Sequence, residues 1–324
     1  MTVIRTGSRA WRRVRVAAGV AFSVVVVAAC FLTARRLTTA GWPLERASLP
    51  LVLTASTAYL SSFFLRALGW QRLFPEARPD RSRCLAACGA AAASGVVLPF
   101  RLDYVVKVWT LRKLGGVRLG LDTVGISIVS LGMIDAVAML PLAVCALATS
   151  DAVFRAPLVV VLLFCLGCIT ALALGPRLVL LPFVERSNRV RGAFRRVGEQ
   201  VSVSRSTFIA GAFLFGCWTT RAFGCTLLLS ALGAGFSPSF ALVVICLSAA
   251  TSILPITAGG VIVNVGTTSV VLLGLGVSRE AAINFSLASG MLLTFSALAA
   301  AVVGAVGSTL LTMQRRRLAH VAPV

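Results

Sequence analysis

The stretch SGVVLPFRLDYVVK, residues 94–107, ends a run of small apolar residues with a proline and then three charged side chains. The apolar run begins near residue 84 and is about 17 residues long, whereas a helix needs roughly 20 apolar residues to cross a bilayer. Such a segment is better explained as a half-helix that enters the membrane and turns back. Because irregular backbone at membrane depth is tolerated only where it lines a protein cavity, the break predicts a site for a polar ligand.

The composition of the chain is typical of an α-helical membrane protein. Of its 324 residues, 58% are hydrophobic and only 13% are charged, and the mean hydropathy is +0.94. A soluble domain carries about 25% charged residues. The apolar runs are continuous rather than alternating, which excludes an outer-membrane barrel. We therefore expect an all-α integral membrane protein.

The net charge of +21 comes from 31 Lys and Arg residues against 10 Asp and Glu residues. A charge of this size in a soluble protein would suggest nucleic-acid binding, but no soluble domain is present, so we expect no nucleic-acid partner. We assign most arginines to membrane topology and to contacts with anionic headgroups. A minority are placed to line a path for an anionic lipid. Most cysteines lie inside apolar runs and the single histidine, His320, lies in the C-terminal tail. We therefore expect no metal and no cofactor.

The apolar runs predict about six membrane spans and two broken hairpins. The spans are 16–34, 49–68, 121–148, 158–183, 208–232 and 281–311, and the shorter regions 84–100 and 240–276 are broken by Pro99 and Pro255. Lys and Arg accumulate in cytoplasmic loops. Basic segments therefore place both termini in the cytoplasm, make residues 184–207 a basic cytoplasmic linker, and bring the two re-entrant hairpins in from opposite faces. The expected location is the plasma (inner) membrane. One predicted cytoplasmic loop contains Arg72, Arg78, Arg81 and Arg83.

The two broken regions lie in units that resemble each other. RALG at 66–69 is matched by RAFG at 221–224, and the breaks VVLP and SILP follow at similar distances, ending at Pro99 and Pro255. We interpret residues 1–324 as one transmembrane domain with a first inverted repeat at 49–148 and a second at 208–311. Chance similarity between Ala- and Leu-rich helices is the alternative.

Charged side chains inside the apolar runs are the first candidates for a site. Arg66, Asp135 and Arg221 lie where a charge is costly unless it is paired or hydrated. Asp135 would pair well with either arginine. In the functional alternative, the arginines receive a lipid phosphate in place of that carboxylate. Arg66 lies near a helix end, where snorkelling explains it equally well.

Polar residues at the two breaks are the second group of candidates. Arg101, Asp103 and Lys107 follow the first break, where a guanidinium can grip a phosphate with two hydrogen bonds and a lysine adds a point charge. Interfacial anchoring is the alternative for these three. Near the second break, a double glycine permits a sharp turn or a close approach to a ligand, and packing of small residues is the competing account. The candidates there are Gly259, Gly260 and the strongly polar Asn264.

At these residues the sequence resembles the transmembrane, flippase-like family of lysylphosphatidylglycerol synthases, which includes the lipid-translocating half of the multiple peptide resistance factor. Pro99, Arg101 and Lys107 fit the first motif of that family, and Asp135 fits its aspartate in the span after the first break. Leu254, Pro255, Gly259 and Gly260 fit its second break.

Several positions depart from the pattern of that family. The departures are Asp103 for a glycine, Tyr104 for an acid, Leu131 and Gly132 for a Glu-Arg pair, Ala258 for a proline, and Asn264 and Val265 where an acid is usual. The resemblance covers residues 49–311 and implies movement of a lipid headgroup across the bilayer. The missing acids count against a proton-coupled or aminoacyl-headgroup version.

We expect a lipid flippase rather than an enzyme, acting on a phospholipid or a polyprenyl-phosphate-linked lipid. Its expected partners are anionic membrane lipids, with a partner enzyme or a second copy of the chain as further possibilities. One alternative is a non-transporting accessory subunit of a lipid- or glycan-modifying enzyme, which the lost acidic positions favour. The other is a membrane-embedded polyprenyl-phosphate-dependent transferase, which would need paired carboxylates that the sequence lacks.

Overall fold

The structure is a computed structural model that describes residues 42–45, 47–74, 78–96, 98, 102–114, 120–178, 204–253 and 260–321. Side chains are described for these residues apart from 175–178, 250–264 and 315–321. Throughout these ranges every regular element is a helix and no strand is present. The predicted all-α class is therefore confirmed.

Nine helices follow one another in the described ranges, and five of them are long and apolar enough to cross a membrane. These five are α1, α4, α5, α6 and α9, so the prediction of a multi-pass membrane protein is confirmed. The sixth predicted span, 16–34, lies outside the described residues. The helices are α1 Leu49–Arg72, α2 Arg81–Ser94, α3 Asp103–Lys113, α4 Leu121–Thr149, α5 Ala152–Leu178, α6 Arg205–Ala231, α7 Pro238–Ile253, α8 Gly260–Gly274 and α9 Arg279–Val321.

Local sequence signals account for several helix ends. Pro50 lies in the first turn of α1, where a missing backbone N–H costs nothing. The hydroxyl of Ser204 caps α6 by accepting a hydrogen bond from the Thr207 amide at 3.2 Å. Arg112 and Lys113 lie in the last turn of α3, where positive charge is favourable beside the helix dipole.

The boundaries of the first short helix differ from those predicted. The sequence predicts a half-helix over 84–100, but α2 begins at Arg81 and ends before a turn at Gly95 and Val96. Arg81 and Arg83, predicted in a basic loop, are therefore helical. Arg83 is only 4% exposed, and its guanidinium lies 3.3 Å from the Asp80 carboxylate, which offsets the loss of water. The prediction that Arg81 and Arg83 lie in a loop was therefore wrong. It relied on hydropathy, which counts a buried, paired arginine as polar.

Helices α1 and α6 cross closely and run antiparallel. A Cβ atom placed on Gly69 would lie 3.2 Å from the carbonyl oxygen of Ala210, and one placed on Gly224 would lie 3.3 Å from that of Ala55. The end of α1 thus meets the start of α6, and the start of α1 meets the end of α6. Gly224 stands 155 positions after Gly69, and Ala210 stands 155 positions after Ala55. The two contacts are therefore equivalent under one sequence shift.

The remaining packing repeats the same equivalence between two groups of helices. The group α1 to α4 and the group α6 to α9 each consist of a long helix, two short helices and another long helix. Helix α2 packs on α9 as α7 packs on α4, and α1 packs on α9 as α6 packs on α4. Helix α5 packs on α4 and α7, and among the residues that the structure describes it has no counterpart in the second group.

Two clusters of buried apolar side chains form the core. One contains Phe63, Trp70 and Phe74, and the other contains Leu228 and Phe285. Two half-buried residues, Trp218 and Leu293, pack against both clusters. Both of these residues also line a cavity, so the cavity lies where the two parts of the core meet.

Candidate functional site

A cavity of about 630 Å³ lies inside the helix bundle and receives side chains from all nine described helices. It is placed where residues near both breaks approach each other, since Leu98 and Val265 are both part of its wall. The structure brings five of the predicted site residues to this one cavity. They are Arg66, Asp103, Lys107, Asp135 and Arg221.

Asp135 is the centre of a charged network in this cavity. Its Oδ2 accepts a hydrogen bond from Arg66 Nη2 at 2.6 Å, and its Oδ1 accepts one from Trp218 Nε1 at 2.8 Å. The aspartate is 8% exposed, so the ion pair with Arg66 forms largely out of contact with solvent. Arg66 is thus held inward by a carboxylate on α4, whereas snorkelling would direct it toward the interface.

Arg221 occupies the position equivalent to Arg66 but has different partners. Its Nε donates to the Ser62 hydroxyl at 3.0 Å, and its Cζ lies 5.3 Å from the ring centre of Phe63 and 5.4 Å from that of Trp218. No carboxylate among the described residues lies within ion-pair distance of this guanidinium. Arg221 is therefore stabilised by two aromatic rings and a hydroxyl.

Lys107 is a second cation on the cavity wall. It is 6% exposed, and its Nζ lies 4.2 Å from the ring centre of Trp70. Trp70 is fully buried and donates its Nε1 hydrogen to Ser127 at 3.2 Å, which fixes the ring beneath the ammonium. In the described ranges, no carboxylate lies within ion-pair distance of Lys107 either.

Helices α7, α8 and α9 also contribute hydroxyl groups to the wall of the cavity. Ser248 and Thr268 lie 3.3 Å apart, and Ser286 accepts a hydrogen bond from Ser269 at 2.9 Å. Ser289 lies 3.5 Å from the hydroxyl of Tyr59 on α1. These hydroxyls extend the polar lining of the cavity beyond the charged network.

Several predicted residues cannot be placed in the cavity. Pro99, Arg101, Pro255 and Gly259 lie outside the described residues. Gly260 is the first residue of α8, and Asn264 lies in the same helix, but the side chain of Asn264 is also outside the described part.

Sequence reasoning missed the aromatic residues and the hydroxyls of this site. Trp218 lies one helical turn before Arg221, a spacing that places two side chains on the same helix face, and a tryptophan N–H inside an apolar helix requires an acceptor. That signal was available in the sequence. The serines and threonines carried no such signal, because most hydroxyls inside apolar helices bond to their own backbone.

The charges on the cavity wall give it a positive balance. Three described cations, Arg66, Lys107 and Arg221, face two carboxylates, Asp103 and Asp135, which leaves one net positive charge. The arrangement provides charge-assisted hydrogen bonding in a buried space. It therefore suits the binding of an anion.

One family profile matches the chain over residues 16–301, and its description is the lysylphosphatidylglycerol synthase TM region. The matched range contains α1 to α8 and the first half of α9. Comparison with curated proteins and with solved structures gave no match.

Proposed function

The chain belongs to the lysylphosphatidylglycerol synthase transmembrane family, and from this premise we propose that it moves a lipid with an anionic headgroup across the membrane. The headgroup occupies the cavity while the acyl chains remain in the bilayer. One observation carries the proposal. Lys107 and Arg221 lie on the wall of a cavity inside a membrane protein, and no described carboxylate is within ion-pair distance of either.

An anion would stabilise these two cations. A charge held inside a membrane costs several kcal/mol unless it is paired or hydrated. A guanidinium binds two phosphate oxygens at once, and an ammonium adds a point charge that tolerates several geometries. Arg221 and Lys107 together therefore match a phosphate ester better than a neutral or cationic headgroup.

The ion pair between Arg66 and Asp135 adds a second binding option. The phosphate exchanges with the Asp135 carboxylate as the partner of Arg66, and the Trp218 N–H retains Asp135 in place during the exchange. Such an exchange keeps Arg66 paired with an anion before and after binding, and it leaves the Asp135 carboxylate hydrogen-bonded to Trp218. Because Arg66 is never left without a counter-ion, the free-energy cost of admitting and releasing the lipid is lower.

The two groups of helices form an inverted repeat, and the two breaks enter from opposite faces of the membrane. The antiparallel crossing of α1 and α6 supports this orientation, because equivalent helices of inverted repeats cross the membrane in opposite directions. Two arginines of the cavity lining, Arg66 and Arg221, stand at equivalent positions of these helices. Rocking of one repeat against the other would then expose the cavity to each side in turn.

A lipid reaches the cavity sideways, between α3 and α4. Helix α8 packs extensively along α9, whereas the equivalent helix α3 barely contacts α4. Tyr104 on α3 and Val129 on α4 line the cavity and are 40% and 54% exposed. This gap admits a headgroup while its acyl chains stay outside the protein.

The basic segments indicate the orientation of the protein in the membrane. We place it in the plasma (inner) membrane with both termini in the cytoplasm, because Lys and Arg cluster before residue 16, over residues 184–207 and after residue 314.

Transport by the purified full chain in proteoliposomes tests the proposal. Phosphatidylglycerol carries a fluorescent label on an acyl chain, and dithionite reduces this label only on lipids in the outer leaflet. Loss of the protected fluorescence therefore reports translocation. Lys107→Gln and Arg221→Gln should each slow translocation by about tenfold or more, since each removes a charge-assisted hydrogen bond to phosphate. Unchanged rates in both variants would contradict the proposed role of the cavity.

Lys113→Gln is the matched control. Lys113 lies on the same helix as Lys107 and also stacks on a tryptophan, with its Nζ 4.5 Å from the ring centre of Trp109. Trp109 is 58% exposed, and neither residue of this second pair lines the cavity. Translocation should therefore be unaffected by Lys113→Gln. If the wild-type chain moves no lipid but purifies with a stoichiometric partner, an accessory role replaces the proposed one.

A further inference from the structure

The two reciprocal contacts between α1 and α6 define the centre of their crossing. In α1 these contacts are at Ala55 and Gly69, and Ser62 lies halfway between them. The corresponding residue of α6 is Cys217, which follows Ser62 by the same 155 positions that relate the contacts. Ser62 and Cys217 therefore mark the middle of the crossing.

The two arginines of the cavity are displaced from this centre in opposite directions. Arg66 and Arg221 each stand one helical turn after the central residue of their own helix, which is about 6 Å along the helix axis. Because α1 and α6 run antiparallel, the two displacements point toward opposite ends of the crossing. If both helices cross the membrane, one arginine is nearer to each face of it.

Both arginine side chains nevertheless reach back toward the centre. Helical side chains lean toward the N-terminus of their own helix, which for both arginines is the direction of the centre. Arg221 Nε donates to the Ser62 hydroxyl at 3.0 Å. Arg66 bonds to Asp135, and the same carboxylate accepts a hydrogen bond from Trp218, which stands beside the central residue of α6. One guanidinium thus approaches the centre from each side.

Trp218 connects the surroundings of the two arginines. Its Nε1 donates to Asp135 Oδ1 at 2.8 Å, and the centre of its ring lies 5.4 Å from Arg221 Cζ. An indole that donates to a carboxylate without another counter-ion is polarised, and its more negative ring attracts a cation more strongly. A phosphate that takes Arg66 from Asp135 therefore strengthens the attraction of Trp218 for Arg221.

We propose that the lipid phosphate is bound by one arginine at a time and is passed from one to the other, and that Trp218 is the positioning residue that makes them alternative partners. While the phosphate is on Arg221, Asp135 holds Arg66. While it is on Arg66, Trp218 holds Arg221. This inference rests on the proposed transport of an anionic lipid and adds the way in which the two arginines share the phosphate.

Binding of phosphatidic acid to the full chain, measured by native mass spectrometry, tests this transfer. The headgroup of this lipid is a phosphate alone. Because alternative partners add their association constants, loss of one of two comparable partners should weaken binding only about twofold, whereas loss of one of two simultaneous contacts should weaken it about tenfold or more. The variants are Arg221→Gln, and Arg66→Gln combined with Asp135→Asn so that no carboxylate loses its counter-ion. All three substitutions together should weaken binding about tenfold or more.

Translocation should respond differently from binding. Transfer needs both arginines, so Arg221→Gln should slow translocation in proteoliposomes about tenfold or more while phosphatidic acid binding falls only about twofold. Arg66→Gln combined with Asp135→Asn should show the same difference. Equal losses of binding and translocation would mean that the phosphate contacts both arginines at once.

Trp218→Phe tests the positioning role. Phenylalanine keeps an aromatic ring near Arg221 but cannot donate to Asp135, so both arginines become available to the same phosphate. Phosphatidic acid should then bind several-fold more tightly. Translocation should slow several-fold, because a phosphate held by both arginines is released more slowly. A residue with a merely structural role would not change binding and translocation in opposite directions.

Trp109→Phe is the matched control for the tryptophan. Trp109 also lies beside a cation, since the Nζ of Lys113 is 4.5 Å from the centre of its ring. It is 58% exposed and does not line the cavity. Trp109→Phe should therefore change neither the binding of phosphatidic acid nor translocation.

The outcomes separate the two levels of the proposal. A tenfold loss of phosphatidic acid binding in either arginine variant would overturn the transfer and leave anionic-lipid transport intact. Weaker binding together with slower translocation in Trp218→Phe would overturn its positioning role, and the arginine variants test the transfer even if that variant does not fold. Failure of the wild-type chain to bind or move any phosphate lipid would overturn the proposed function and this inference together.

Discussion

Asp135 is fixed by two side chains from different helices, Arg66 at 2.6 Å and Trp218 at 2.8 Å. The sequence left Arg66 and Arg221 as equal candidates for its partner, because both arginines precede a glycine by three positions in similar helices. The structure pairs Asp135 with Arg66. Arg221 instead lies near the rings of Phe63 and Trp218, where aromatic faces substitute for a carboxylate. The matching positions of the two arginines in α1 and α6 therefore did not determine the partner of each.

Removing the charge of Asp135 should affect stability and lipid binding in opposite directions. Asp135→Asn leaves Arg66 without its counter-ion, which should lower the free energy of unfolding by about 3–5 kcal/mol, the usual cost of breaking a buried pair. The same change releases Arg66 for a phosphate, so binding of phosphatidic acid should become tighter. Thermal unfolding in detergent and native mass spectrometry measure the two effects.

A double variant is the control for this prediction. Arg66→Gln combined with Asp135→Asn removes both charges and should recover part of the stability that Asp135→Asn loses. It should also remove the gain in phosphatidic acid binding. If the double variant is as unstable as the sum of the single variants, the ion pair contributes no coupling and its proposed exchange with phosphate is wrong.

At the scale of helices, close backbone approach fixes the position of α2 on α9. A Cβ atom on Gly89 would lie 2.5 Å from the carbonyl oxygen of Ala297 and 2.5 Å from the amide nitrogen of Ala301. Gly304 makes the reciprocal contact, since a Cβ there would collide with the backbone at Ala86. Small residues at helix contacts are typical of membrane bundles.

Substitution of Gly89 should therefore separate α2 from α9. Gly89→Ala should lower the free energy of unfolding by about 1–3 kcal/mol, the usual cost of overpacking a tight contact. Gly125 on α4 has open space where a Cβ would lie, so Gly125→Ala should leave stability unchanged or slightly increase it. Thermal unfolding of both variants in one detergent measures the difference. An equal melting temperature for the two would show that α2 and α9 readjust without cost.

The whole molecule shows which parts of the fold a sequence can predict. Hydropathy predicted the five described spans. The RALG and RAFG segments lie on α1 and α6, which meet in reciprocal contacts, and the inverted repeat that they suggest stays a prediction. The same reasoning did not predict how the second group lines the cavity. Ser286 and Thr294 look like ordinary helix-packing residues in the sequence, and only the packing of the helices brings them to the same cavity as Arg66 and Lys107. Tertiary packing decides such positions.

The orientation of the two groups in the membrane gives the last prediction. The Ser206 hydroxyl, near the start of α6, donates a hydrogen bond to the Arg72 carbonyl, at the end of α1, at 2.5 Å. If both helices cross the membrane, these two helix ends lie on the same side of it. Single cysteines at Arg78 and Arg205, in a background without native cysteines, should react with an impermeant maleimide only after cells are permeabilised.

The connections after α4 and α6 lie at the other ends of their helices. Cysteines at Asp151 and Phe236, both exposed, should therefore react in intact cells. Together the four sites would show that α1 and α6 cross the membrane in opposite directions, as inverted repeats require. If Asp151 and Phe236 were labelled from different sides, α4 and α6 could not both cross from the cytoplasm outward. The two breaks would then not enter from opposite faces, and rocking of one repeat against the other could not alternate access to the cavity.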